Sequence, residues 1–324
     1  MNRLLLEKSL MFVDLPYTEN SSYQRLMRDV EKLLYPESTP RLLLNRWRFR
    51  QQREIHRSLI ESWLKVSNQT SLARALAQRP TMLGVVVWPY INAEWELEQR
   101  LQAIENHYRA LTGVRSRLDL ETDASVEVLD MSAHSPGLRL VLDRPSWFMR
   151  EGELVLNLFR AEQRLMSLAF SINLHEGRLI ALVGGLQGAK GENSLNIYHS
   201  ITKDLEGLRP RAVLLTAFQM LCSSAGLDEI YCIADDHRHH RHSYFAKDKF
   251  QELHLDYNEV WKEQKGQPAG NGFFLLPLQP VRKSLEEIIS KKRSMYRRRF
   301  KMMDQVSQSI EYFFNETCAT VRIA

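Results

Sequence analysis

Four of the ten histidines in this 324-residue chain crowd into one short segment, as His237, His239, His240 and His242, directly after Asp235 and Asp236. Imidazoles and carboxylates together can ligate zinc or pass protons near neutral pH. His237, His239, His240 and His242 are therefore candidate metal ligands, and Asp235, Asp236, His237 and His242 are candidate catalytic acid/base residues. The plainer alternative is a solvated polar loop, because neighbours in sequence seldom all face one centre and Arg238 and Arg241 would repel a cation. A second candidate is Gly207-Leu208-Arg209-Pro210-Arg211. A proline-started helix offers free amides and the positive end of its dipole, and arginines there add bidentate donors for phosphate. Gly207, Arg209 and Arg211 are thus candidate cofactor-binding residues, with arginines that are solvated or paired with Asp204 and Glu206 as the alternative. The glycine run over 184–191 lacks both the Walker and the dinucleotide spacing, so a loop leaving a sheet edge is preferred to a phosphate cradle.

A basic segment closes the set of candidates. Nine Lys/Arg lie between Arg282 and Lys301 against Glu286 and Glu287 only, and six Arg lie between Arg41 and Arg57 against Glu54. The net charge of +5 is therefore focused, and focused charge points to an anionic partner. An apolar seam of Leu285, Ile289, Tyr296, Phe300 and Met303 makes the second basic segment a helix. Lys291, Lys292, Arg293, Arg297, Arg298 and Arg299 are its candidate contacts to an anionic membrane or a protein partner, and a lid on the core is the alternative. Nucleic acid ranks lower, since no reading motif accompanies the charge.

The elements that must position these residues divide by period. Leu44, Trp47, Ile55, Leu59 and Trp63, and then Leu97, Leu101, Ile104, Tyr108 and Leu111, recur at helical intervals, while the run Leu83 to Trp88 reads as a strand ended by Pro89. From about Arg115 the pattern alternates: Val126 to Val128, Leu138 to Leu142, Leu154 to Leu158, and a hairpin of Leu165 to Leu174 and Arg178 to Leu186 across His175-Glu176-Gly177. A buried helix over Ala212 to Leu221 and strands over Glu229 to Ala234 and Phe273 to Leu278 follow. The expected class is α+β, with a mainly helical region over 1–114 and a mixed α/β domain centred on an antiparallel sheet over 115–324.

Composition sets the remaining bounds. With 44% hydrophobic and 26% charged residues the chain can bury a sizeable core, and Cys222, Cys232 and Cys318 are too scattered for a metal knuckle or a redox pair. Glu7, Lys8 and Asp14 interrupt the apolar start before a secretory core forms, and no window suits a membrane span. The expected location is the cytoplasm, with peripheral attachment to the inner membrane as an extension.

Several stretches carry a family resemblance. Trp88-Pro89-Tyr90, His107-Tyr108, Gly207-Leu208-Arg209-Pro210, the region from Tyr231 to Tyr244 and Lys291 to Arg299 resemble the VirK/YbjX family of Gram-negative bacteria, in order and along nearly the whole chain. The resemblance implies an envelope role: virulence, resistance to antimicrobial peptides and relief of lipid A acylation defects. It carries over no catalytic residues. At the level of fold, a meander followed by a glycine-bearing turn, a buried helix and a strand is similar to the GCN5-related N-acyltransferase core. That similarity implies acyl-CoA as a candidate cofactor, with its pyrophosphate at Gly207 to Leu215, although Arg209, Pro210 and Arg211 stand where small residues usually admit it. The competing class is a non-catalytic adaptor that docks on anionic membrane or a protein partner.

Overall fold

The computed structural model describes residues 20–36, 39–67, 70–114, 116–189, 194–245, 255–315 and 322–323. The expectations for the first nineteen residues, for Lys190 and Gly191 and for Cys318 fall outside them. The N-terminal region is helical: α1 (Asn20–Leu34), α2 (Pro40–Ile55), α3 (Arg57–Ser67), α4 (Ser71–Gln78), a 3-10 helix at Pro80–Val86, and α5 (Leu97–Ala110). Thr39 caps α2 by accepting from the Leu42 amide, and Pro40 follows at the first position.

Two expectations fail here for physical reasons. The helix read through Leu44 and Trp63 breaks at His56, and Leu44 and Trp47 are exposed. Arg46 and Arg53 turn inward instead, 3.6 and 3.7 Å from the buried Glu31 of α1, and the exposed Arg50 reaches over to bind both Glu31 oxygens at 2.7 and 2.9 Å. The run Leu83 to Trp88 is not a strand. A Cβ on Gly84 would lie 2.2 Å from the Trp88 ring, so the chain must curl back within four residues, which an extended segment cannot do.

The mixed half is one nine-stranded sheet. In chain order its strands are β1 (Ala124–Asp130), β2 (Leu138–Asp143), β3 (Leu154–Arg160), β4 (Gln163–His175), β5 (Arg178–Gly188), β6 (Glu229–Ile233), β7 (Gln267–Gly270), β8 (Phe273–Leu276) and β9 (Arg322–Ile323). They lie side by side as β7-β8-β6-β5-β4-β3-β2-β1-β9. The hairpin from β4 to β5 turns on Glu176 and Gly177, both at positive φ, as the right-handed twist of paired strands favours. All neighbours are antiparallel except β5 and β6. That parallel pair requires a crossover, made by α6 (Ser194–Asp204) and α7 (Pro210–Ala225). The α+β class therefore holds.

Packing fixes the helices on this sheet. Phe218 of α7 meets Phe170 of β4 edge to face at 4.9 Å, and Gly226 closes α7 in the left-handed conformation. α8 (Tyr257–Glu263) stands where β6 leaves β5: pairing ends at Val183 and Cys232, but β5 runs on to Gly188. Tyr257 supplies the missing partner, its hydroxyl accepting from the Leu186 amide at 2.6 Å and donating to the Leu186 carbonyl at 2.9 Å. α9 (Ser290–Asn315) buries Met302, Met303, Val306, Ile310, Phe313 and Phe314, a seam further along than expected. Ile289 is exposed and its neighbour Ile288 is buried instead. One apolar cluster joins residues of the helical region to the sheet and to α9.

Candidate functional site

The histidine segment follows β6 as two short 3-10 turns, Asp235–His237 and His239–Arg241, and these turns separate the side chains. Asp235 is a structural hub: Arg238, Arg241 and the Tyr257 amide all donate to its carboxylate. Burial pushes the Asp235 pKa up, but these bonds outweigh it and hold the carboxyl below its usual range. Asp236 pairs with the His237 ring at 2.9 Å, chiefly through that bond held low, and the other nitrogen of His237 faces Glu94 at 3.2 Å. The His242 Nδ1 accepts from the Tyr244 amide at 3.0 Å, and burial followed by the charge of Arg100 holds its pKa down. The four histidines therefore do not converge on one centre, nor do Asp235, Asp236, His237 and His242.

Two of them turn inward, toward a residue not singled out in sequence. His239 and His240 lie with ring centroids 3.7 Å apart, and the His239 Nε2 is 3.6 Å from Oε1 of the buried Glu151. Glu151 follows the 3-10 turn Ser146–Phe148, and its carboxylate presses on the backbone of β5. A Cβ on Gly185 would fall 1.9 Å from Oε2, and one on Gly184 would fall 2.2 Å from the Glu151 carbonyl oxygen. These glycines are strand residues that make room for Glu151, its backbone at Gly184 and its carboxylate at Gly185, not a phosphate loop. The Gln187 amide donates to both Glu151 oxygens at 2.7 and 2.9 Å. Burial raises the Glu151 pKa to about 7, opposed by Gln187, Arg238 and Arg150. Ile91 packs on Gly184 in the left-handed conformation, φ 56°, and its amide donates to the Arg150 carbonyl at 2.8 Å. For a β-branched residue that conformation is strained, and strain of this kind gathers at functional sites.

Two residues along, Glu153 enters a separate buried network. Tyr108 donates to it at 2.7 Å, Arg144 lies at 3.4 Å, and the Tyr90 hydroxyl is 2.6 Å from that of Ser171. His107 beside them accepts the Ile172 amide at Nδ1, at 3.0 Å. The landmarks Trp88 to Tyr90 and His107-Tyr108 thus meet around the Glu151-Gly152-Glu153 turn. An acidic pair astride a glycine before an apolar strand was the available sequence signal.

The arginine-bearing turn lies by a cavity of about 650 Å³ at the end of β5. Met166, Leu195, Tyr198, Pro210 and Leu255 give it apolar walls, Arg209, Arg211 and His199 give it polar ones, and among the described residues no carboxylate lines it. The N-cap residue of α7 is Arg209, whose side chain makes no capping hydrogen bond. Arg211 also reaches Glu263 at 2.7 Å. Gly207 does not line the cavity: at φ 79° it turns the chain out of α6, and the Arg299 guanidinium sits 3.0 Å from where its Cβ would be.

The basic helix is divided. Arg298 forms a two-pronged pair with Glu206 at 2.7 and 2.8 Å, Arg299 donates to the Glu206 carbonyl, and Arg293 donates to the Ile288 carbonyl. Lys291, Lys292 and Arg297, with Lys301, are exposed.

A family model described as "Protein of unknown function (DUF535)" matches residues 40–312, which span both the Glu151 turn and the α7 cavity. The chain belongs to the DUF535 family. The Escherichia coli K12 protein described as "Uncharacterized protein YbjX" is 28% identical over 284 residues, covering 81% of this chain and 83% of that one. Two Haemophilus influenzae Rd proteins, each described as "Uncharacterized protein", are similar over less. One is 33% identical over 130 residues, 40% of this chain and 43% of its own; the other is 30% identical over 177 residues, 54% and 57%. No solved structure matches. Membership in DUF535 upholds the VirK/YbjX resemblance, and among the described residues of this member no helix is long and apolar enough to cross a membrane.

Proposed function

We propose that this DUF535 protein is an acyltransferase-like envelope factor whose α7 cavity binds the phosphorylated end of an acyl-CoA. The observation that carries the reading is the cavity: apolar walls and two arginines at a helix start whose N-cap side chain makes no capping bond, with no acidic residue among the described residues of its lining. Such a site suits a ligand that is apolar along its length and anionic at one end. Further support comes from the order of antiparallel meander, crossover helix and parallel strand, which agrees with the acyltransferase resemblance. Acyl-CoA supplies an acyl group activated as a thioester. The carbon–sulfur bond breaks as a bond forms to an acceptor amine or hydroxyl, and the acceptor's proton passes to the released thiolate or to solvent. The family resemblance directs the acceptor to lipid A or another envelope component, and the biological outcome to resistance against antimicrobial peptides.

A second reading, docking on anionic membrane at the inner face of the envelope, is favoured by the exposed cations Lys291, Lys292, Arg297 and Lys301. The two readings are compatible. Arg298 and Arg299 hold α9 against Glu206 and Gly207, within a few residues of Arg209. A bilayer bound on α9 would therefore lie beside the cavity. A thermal shift measured with palmitoyl-CoA tests the first reading, because a ligand at a hundred times its Kd stabilises the native state by about 2.7 kcal/mol. An unchanged melting temperature at saturating concentration would reject it.

A further inference from the structure

We propose that Glu151, His239 and His240 form a binding site for a divalent transition-metal ion, zinc being the best match to two imidazoles and a carboxylate. Their ligand atoms all lie within 4.8 Å of one another, and among the described residues this is the group of histidine, cysteine or acidic side chains that does so. The 3.6 Å between the His239 Nε2 and the Glu151 Oε1 is too long for a hydrogen bond. It matches the edge of a tetrahedron, since two ligands each ~2.0 to 2.2 Å from zinc stand about 3.3 to 3.6 Å apart. The site is independent of the acyl-CoA reading.

The surroundings fit a metal centre. Gly185 admits the carboxylate to β5 while Gly184 admits the Glu151 backbone, and Gln187 orients the carboxylate through both oxygens, as outer-shell partners of metal-bound carboxylates do. Glu151 and His239 are buried while His240 is half-buried, so a fourth position can open on the His240 side to water or substrate. Arg238 and Arg150, whose charges reach Glu151, also have other partners. Arg238 pairs with Asp235 at 3.1 Å and stacks on Tyr257 at 3.7 Å, and Arg150 lies over the rings of Trp88, Tyr244 and Phe245. Sequence spacing could not show this site, because its carboxylate comes from a turn 88 residues before His239.

The test uses the full chain purified without a histidine tag. Elemental analysis after equilibration with micromolar Zn²⁺ and gel filtration should find about one zinc per chain. His240→Ala, which alters a half-buried side chain, should lose that zinc while keeping the wild-type circular dichroism. Gln187→Ala leaves all three ligands in place and should weaken zinc by roughly tenfold to a hundredfold in competition with a chromophoric chelator. Cobalt loading of the wild type should give the visible bands of a tetrahedral site. Zinc absent from the folded wild type, or bound equally tightly by folded His240→Ala, would overturn the proposal.

Discussion

His107 offers the most direct test of the buried polar network. It is 1% exposed, and burial followed by the nearby charge of Arg144 holds its pKa at about 3. Its Nδ1 lone pair is taken by the Ile172 amide, which requires that nitrogen to be unprotonated. In the unfolded chain a histidine titrates near ~6.5. The folded state therefore excludes a proton that the unfolded state accepts, so the stability this group contributes is full above about pH 6.5 and is lost progressively as the pH falls toward 3. Between pH 8 and pH 5 the loss comes to roughly 2 kcal/mol. His107→Asn keeps an acceptor near the Ile172 amide but cannot be protonated. At pH 8 it should be less stable than wild type by about 1 to 2 kcal/mol, from lost packing. By pH 5 the gap should narrow by roughly 2 kcal/mol, to parity or a reversal. Urea unfolding at several pH values between 8 and 5 measures this, and other titrating groups cancel in the difference between the two proteins. Parallel stability curves for wild type and variant would refute a neutral, buried His107.

Two further outcomes concern β5 and α9. Gly185→Ala should destabilise the fold by about 1 to 3 kcal/mol through overpacking against Glu151, whereas Gly113→Ala, whose nearest contact would be at 3.6 Å, should stay close to wild type in the same melting experiment. Replacing Lys291, Lys292, Arg297 and Lys301 together by Gln should abolish co-sedimentation with anionic vesicles without lowering the melting temperature, since each such charge contributes ~1 kcal/mol near an anionic surface. Arg298→Gln should instead cost stability, because Arg298 is bound to Glu206. Equal binding of the fourfold variant and wild type would remove membrane docking through α9.

The fold was legible wherever one periodicity dominated. The hairpin of β4 and β5, α5 and α7 lie where alternation, helical steps and proline or glycine punctuation placed them. The inward turn of Arg46 and Arg53 in α2 was hidden because a helix pattern cannot reveal that a partner helix carries a buried Glu31. The curl at Gly84 depends on a ring four residues away. The same limit governed the site. Crowding at His237 to His242 was visible, but which rings turn inward depends on two short turns and on Glu151, brought near by the sheet. The helix start carrying Arg209 and Arg211 was legible because it is a local feature, and the cavity beside it was not, because its walls come from β4, β5, α6 and the approach to α8.

Isothermal titration of the full chain with palmitoyl-CoA, set beside the Arg209→Ala/Arg211→Ala variant, tests the proposed function most directly. Charge-assisted hydrogen bonds contribute about 1.5 to 3 kcal/mol each, and Arg211 must loosen its contact with Glu263 to make one. The double variant should therefore bind about 2 to 4 kcal/mol more weakly, with an unaltered fold. Saturable binding by wild type that falls by this amount in the variant is the expected result; no heat of binding in the wild type, or equal affinity in the two proteins, would contradict it.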